Sequence, residues 1–185
     1  MNPIDDLFAI LVDLGQRQYG ETTVSQYEHA VQCALQAEEA GAGSALITAA
    51  LFHDLGHLIE RDRYAMIERG EDAEHEKAGA KYLARWFGPD VTEPVRLHVP
   101  AKRYLTATDP SYAGTLSPAS TRSLEAQGGP FTQAEAHAFM TQPYAGQAID
   151  LRRWDEGAKV RGAAIPLLAH FRNHVAACLR EAAHV

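Results

Sequence analysis

Residues 50–60 read "ALFHDLGHLIE": a histidine–aspartate pair, His53 and Asp54, interrupts an otherwise apolar run, and His57 follows one helical turn later. Leucine or alanine would pack here at no cost, whereas a buried imidazole beside a carboxylate is expensive unless something pairs with both. A metal ion answers that need, so the rest of the chain should supply more ligands. The candidates are His29 in "QYEH", His75 in "EDAEHEKAG", His98 in "VRLHVPAKRY" and Asp155 in "RRWDEG". Each has an ordinary reading by itself: His29 as a polar helix-surface residue, His75 as a solvated first-turn residue, His98 as a satisfied helix-end histidine, and Asp155 as the salt-bridge partner of Arg152.

Together they form an ordered set on separate helices, as a metal site inside a helical bundle requires. Imidazoles with carboxylates suit zinc, iron, manganese or cobalt. Six ligands are too many for one catalytic ion with open positions and natural for two ions bridged by Asp54. His57 points the same way as His53 and can line the pocket. His137, His170, His174 and His184 read as structural or solvated.

The bulk properties narrow the alternatives. The chain has 185 residues, 46% of them hydrophobic, which suits one domain spanning residues 1–185 with a single sizeable core. No apolar run approaches the roughly 20 residues that cross a bilayer, and the acidic N-terminal stretch lacks a basic leader. A net charge of −7 leaves no basic stripe for nucleic acid, so an anionic substrate would need positive charge concentrated locally. Cys33 and Cys178 lie far apart without CxxC spacing and read as small core fillers of a reduced, cytoplasmic protein.

Periodicity and punctuation predict an all-α domain. Helices are expected over Pro3–Arg17 and from about Val24 to Ala40, the latter ended by Gly41 and Gly43. Ser44 is the expected cap of the helix carrying "ALITAALFHDLGH". Residues 59–73 read as a long loop over the site. A helix follows in "EHEKAGAKYLARWFG", closed by Gly88-Pro89, and "VTEPVRLHVPAKRYL" reads as a short helix broken near Pro100. Ser117 and Pro118 open another helix, Thr132 and Glu135 stand in capping-box spacing, and a last helix is expected from Ile165 to about Ala182.

The His53-Asp54 pair resembles the signature of the HD-domain superfamily, a compact helical bundle with a buried di-metal site. Its flanks say more. "YGETTVSQYEHAVQCALQAEEAGA", "AALFHDLGH", "HEKAGAKYL", "HVPAKRYL", "SYAGTLSPASTRSLEAQGGP" and "LRRWDEGAK" are together similar to the PhnZ/TmpB-type mixed-valent di-iron oxygenases. Those enzymes cleave the C–P bond of 1-hydroxy-2-aminoethylphosphonates, and the similarity covers roughly residues 15 to 160. The resemblance implies two irons, Fe(II)/Fe(III), held by His29, His53, Asp54, His75, His98 and Asp155, with O2 as co-substrate. It implies that Lys102 meets the phosphonate with His57, Ser120 and Arg152. Spacing also favours Lys102, four residues after His98 and so on the same helix face.

Tyr19 and Glu21 match less closely a tyrosine and glutamate that serve the family as lid and amine contact. An aromatic face favours a trimethylammonio group and a carboxylate a primary ammonium; the sequence leans slightly to the former. The implied products are phosphate with glycine betaine or glycine. A metal-dependent HD phosphohydrolase acting on a phosphate ester or nucleotide uses the same six ligands and is the first rival, and a ligand sensor is the second. Oligomeric state stays open.

Overall fold

The computed structural model describes residues 2–16, 24–59 and 74–180. Helix α1 (Pro3–Leu14) starts where the Asn2 side chain accepts from the Ile4 amide and Pro3 takes the first position, where a missing N–H costs nothing. It ends at Gly15, short of the expected Arg17, and Ile4, Leu7, Phe8 and Leu11 form its buried stripe. Helix α2 (Gln26–Glu39) opens on a capping box that the sequence reading did not mark. The Glu28 amide donates to Ser25 Oγ at 3.1 Å, and the Ser25 amide donates to Glu28 Oε2 at 2.7 Å.

Helix α3 (Ser44–Phe52) is capped by Gly43; Ser44, expected as the cap, is its first residue and lies 3.0 Å from His174 Nδ1. Residues Ile47 to Phe52 are all buried. The expected continuous helix breaks after Phe52, so His53 and Asp54 occupy the turn before α4 (Leu55–Ile59). His53 Nδ1 lies 2.8 Å from the Ala50 carbonyl, a side-chain bond that competes with the helix ladder. Apart from Ile59, the predicted loop over residues 59–73 lies outside the described residues.

Helix α5 (His75–Leu83) stops five residues before Gly88, and Gly88 with Pro89 instead opens α6 (Pro89–Thr108). The predicted break at Pro100 does not occur: α6 runs through both Pro94 and Pro100. Each proline removes a ladder bond. Burial of Val95, Leu97, His98, Val99, Ala101, Lys102 and Leu105 holds the helix against that loss.

Short α7 (Pro110–Ala113) precedes α8 (Pro118–Ala126), which is capped by Ser117 as expected. The Thr132–Glu135 capping box opens α9 (Gln133–Met140), and α10 (Ala145–Gly157) carries Asp155. The expected long final helix is instead a 3-10 turn, Leu168–Phe171, and α11 (Arg172–Ala177). Beyond it the chain pairs with the α5–α6 connection: Leu179 bridges Phe87, and the Arg180 amide donates to the Trp86 carbonyl at 2.8 Å.

The described residues contain no strand. A large apolar core joins α1 to α6 with α11, around Phe52, Phe87 and Phe171. A smaller one gathers Leu97, Ala101, Phe139, Ala145 and Ala148. Helix α6 contributes to both, Val91 and Val95 to the first and Leu97 and Ala101 to the second. Among the described residues no helix is long and apolar enough to cross a membrane.

Candidate metal centre

The six candidate ligands come from five places in the chain, and all are buried. His29 lies in α2, His53 and Asp54 in the α3–α4 turn, His75 at the start of α5, His98 in the middle of α6, and Asp155 near the end of α10. They form two groups able to hold a metal ion: His29 with His53 and Asp54, and Asp54 with His75 and His98. Asp155 joins the first, its Oδ1 lying 3.3 Å from His29 Nε2 and 3.8 Å from His53 Nε2. Asp54 belongs to both.

Imidazole orientation is the informative detail. His29 Nδ1 faces the Ala158 carbonyl at 2.9 Å, His53 Nδ1 that of Ala50 at 2.8 Å, and His98 Nδ1 that of Val95 at 2.7 Å. A carbonyl only accepts, so each of these Nδ1 atoms carries a proton and each ring turns its Nε2 inward. Yet His29 Nε2 and His53 Nε2 stand 3.1 Å apart, as do His75 Nε2 and His98 Nε2. Two unprotonated ring nitrogens at that distance would repel. A proton or a metal ion relieves the contact, and backbone-anchored histidines are the usual setting of metal ligands.

The charges agree. Burial opposes ionisation of Asp54, but His53, His75 and His57 beside it win and hold its carboxyl well below the usual range. Asp155 is likewise held low against burial, chiefly by Arg152. Burial, reinforced by His75 and His53, pushes His98 well below its ordinary value and keeps it neutral. Burial also opposes a proton on His53, but Asp54 overrides it and raises that group well above its ordinary value. Asp54 Oδ2 is buried without a hydrogen-bond partner among the described residues, and such an atom needs a cation or a donor. The donor set fits a metal pair.

A second cluster of charge adjoins the first. Lys102, one turn beyond His98 on α6, is 2% exposed, and its Nζ donates to Ser123 Oγ at 2.8 Å. Burial, then repulsion from Arg152, pulls its pKa down to about 7. Arg152 bridges the two clusters: it pairs with Asp155, donates from Nε to Tyr112 Oη at 2.7 Å, and reaches Glu156 Oε2 at 2.6 Å. Lys159 Nζ lies 2.8 Å from Glu156 Oε1 and 3.0 Å from Ser120 Oγ. The cluster thus holds three basic side chains, two of which, Arg152 and Lys159, are paired with Asp155 and Glu156.

Of the predicted substrate residues, Lys102, Arg152 and Ser120 lie in this cluster. His57 stacks on His75 with ring centroids 3.9 Å apart, its Nε2 4.0 Å from Asp54 Oδ1. Ser120 donates to Glu156 Oε2 at 3.0 Å, and the serine on Lys102 is Ser123. Tyr19 and Glu21 lie outside the described residues. Ser123, Lys159, Glu156 and Tyr112 went unmarked in the sequence; Ser123 and Lys159 were within reach of i,i+3 and i,i+4 spacing from Ser120 and Asp155. The Ala158 carbonyl that fixes His29 leaves no mark in a side-chain pattern.

A helical bundle that converges histidines and aspartates from separate helices on one turn defines a metal-binding all-α class. The chain belongs to the HD-domain family, whose model matches residues 26–125. It is 46% identical over 180 residues to hydroxymethylphosphonate dioxygenase of Gimesia maris, covering 96% of this chain and 89% of the relative. It is 38% identical over 170 residues to [1-hydroxy-2-(trimethylamino)ethyl]phosphonate dioxygenase (glycine-betaine-forming) of Leisingera caerulea, covering 92% and 87%. An uncharacterised protein of Acanthamoeba polyphaga mimivirus is 32% identical over 181 residues, covering 96% and 82%.

Proposed function

We propose that this chain is a dioxygenase that breaks the carbon–phosphorus bond of a small 1-hydroxyphosphonate at a pair of irons. The observation that carries the reading is the double convergence of Nε2 atoms, 3.1 Å apart in each pair, around one shared carboxylate. High identity to a hydroxymethylphosphonate dioxygenase supports the reaction class. His29, His53, Asp54 and Asp155 would hold one ion, and Asp54, His75 and His98 the other. Bound as an Fe(II)/Fe(III) pair, the ions supply the electron that dioxygen needs to react with a C–H bond.

The chain's own residues bind and orient. Lys102, with Arg152 and Lys159 behind it, offers positive charge to the phosphonate, and Ser123 fixes the Lys102 ammonium. Burial keeps that charge dehydrated, so each hydrogen bond to an anion is stronger than in water. His57, stacked on His75, lines the approach, and Ser120 holds Glu156 in place. Tyr19 keeps the lid role that the resemblance implies, and Glu21 its amine-contact role for a substrate that carries an amine.

In the net reaction the C–P bond breaks and one dioxygen is consumed. One oxygen atom ends on carbon and the other on phosphorus. Hydroxymethylphosphonate would give formate, phosphate and a proton; the trimethylammonio substrate would give glycine betaine, phosphate and a proton. Hydroxymethylphosphonate is proposed first because the relative named for it shares more of this sequence.

The test combines iron content and EPR of the partly reduced protein with phosphate release and oxygen consumption for each candidate. Two irons per chain, a mixed-valent signal that shifts with one substrate, and equal amounts of O2 consumed and phosphate released are expected. Zinc- or manganese-dependent hydrolysis of phosphate esters without oxygen consumption would replace this reading with a phosphohydrolase.

A further inference from the structure

Helix α8 carries only two buried side chains, Ser120 and Leu124, so apolar packing by itself fixes its position weakly. Polar tethers do it instead. At its start the Ser117 amide and the Ser120 hydroxyl donate to Glu156. In its middle Ser123 receives the Lys102 ammonium. At its end stands the "QGGP" stretch, which the roles proposed above leave without a purpose.

Arg103, next to Lys102 in α6, closes on that end. Its Nε donates to the Gly129 carbonyl at 2.7 Å and its Nη2 to the Gly128 carbonyl at 3.2 Å. Nη2 also reaches Glu135, in the cap of α9, at 3.4 Å. The guanidinium lies 4.4 Å from the centre of the Phe131 ring, and the Phe131 amide returns a bond to the Arg103 carbonyl at 3.2 Å. Gly128 has φ +94 and Gly129 φ +73, both left-handed and suited to glycine. A Cβ on Gly128 would stand 3.3 Å from Nη2, so the glycine also makes room for the guanidinium. A planar fork that meets two carbonyls and stacks on a ring is arginine chemistry, which lysine does not reproduce.

We propose that Arg103 is a positioning residue for the anion cluster. By fastening the end of α8 to the turn of α6 that carries Lys102, it keeps Ser123 on Lys102 Nζ and holds the ammonium where the phosphonate is taken up. The inference rests on the reading of Lys102 as the phosphonate anchor. Arg103 itself contacts no substrate; it acts through α8.

The test measures KM and kcat for hydroxymethylphosphonate, and its binding by calorimetry, in Arg103→Met, Gly128→Ala and the double variant. Each single variant should raise KM and weaken binding about tenfold, with kcat changed far less, because ground-state and transition-state binding fall together. The double variant should be no worse than the poorer single one, since both act through one contact. Arg85→Met, which removes an arginine stacked on Tyr82 and Trp86, should leave KM unchanged.

Arg103→Lys, which keeps the charge and loses the fork, should behave like Arg103→Met, and it serves where the methionine variant does not fold. A lower melting temperature with KM and binding unchanged in the Arg103 and Gly128 variants would overturn the proposal. Lys102→Met separates this from failure of the underlying reading. If Lys102→Met weakens binding and the Arg103 variants do not, only the positioning role falls. If Lys102→Met leaves binding unchanged, the anchor assignment falls and the inference with it.

Discussion

The metal side and the anion side of the site are built differently. Four of the candidate ligands stand on helices and two, His53 and Asp54, in the buried α3–α4 turn, and three of the rings are fixed by backbone carbonyls. The anion cluster hangs on side chains that hold one another: Lys102 on Ser123, Lys159 on Ser120 and Glu156, Arg152 on Tyr112, Asp155 and Glu156. Backbone anchoring gives rigid geometry that tolerates no change of ligand. Side-chain networks give adjustable geometry whose strength depends on every member being present. One region is therefore suited to holding ions and the other to receiving a guest.

The largest effect expected from this contrast is at Asp54. Asp54→Ala removes the one carboxylate common to both groups, so both ions should be lost and turnover should fall by about 10³-fold or more. Metal analysis of the purified variant checks it. If that variant kept one full equivalent of metal, the two groups would be independent and the shared-carboxylate picture broken.

Next in size is Lys102→Met, which should raise KM for the phosphonate about 100-fold, the worth of one charged hydrogen bond. The metal content should be unchanged, and that sharpens the division between the regions. A variant with normal KM and lost turnover would move Lys102 to the metal side.

The pH dependence follows from the same lysine. Its pKa is lowered to about 7, so the ammonium that binds an anion is present below that value and lost as pH rises through it. KM should climb about tenfold per unit above pH 7, and Lys102→Met should flatten the climb. A KM constant from pH 7 to 9 in the unaltered chain would remove Lys102 from the anion site.

The smallest effect lies away from both regions. Glu38 is hydrogen-bonded by His170 and His174, and first the bond from His170 lowers its carboxyl below the usual range. A depressed carboxyl stabilises the fold above its ordinary pKa, and the contribution fades as pH falls toward the lowered value. The groups are partly exposed, so Glu38→Gln should cost less than about 1 kcal/mol. Denaturant unfolding at pH 7 measures it, with KM and metal content unaffected.

Much of the metal side was legible in the sequence because its residues break a pattern: imidazoles and carboxylates in apolar helices need a reason. The six candidate ligands meet around Asp54. The turn at His53-Asp54 reads as helix because local propensity there is helical; at the break His53 bonds the Ala50 carbonyl, a contact that composition does not reveal. The unbroken α6 was misread because Pro94 and Pro100 carry a strong local stop signal, and the burial that overrides it is tertiary. The neighbouring charged cluster was half legible as a cluster. Lys102 and Arg152 follow from spacing and resemblance, whereas Ser123, Lys159 and Glu156 look like any polar residues until α8 and α10 are brought together.

The light packing of α8 has a practical side. Moving or lengthening a helix that buries only Ser120 and Leu124 disturbs little of either apolar core, and none of the candidate ligands lies on it. An engineer who wanted the protein to accept a bulkier or differently charged guest would therefore begin there, trading tethers at Ser120, Ser123 and the Gly128-Gly129 turn. The candidate metal centre could be left as it is.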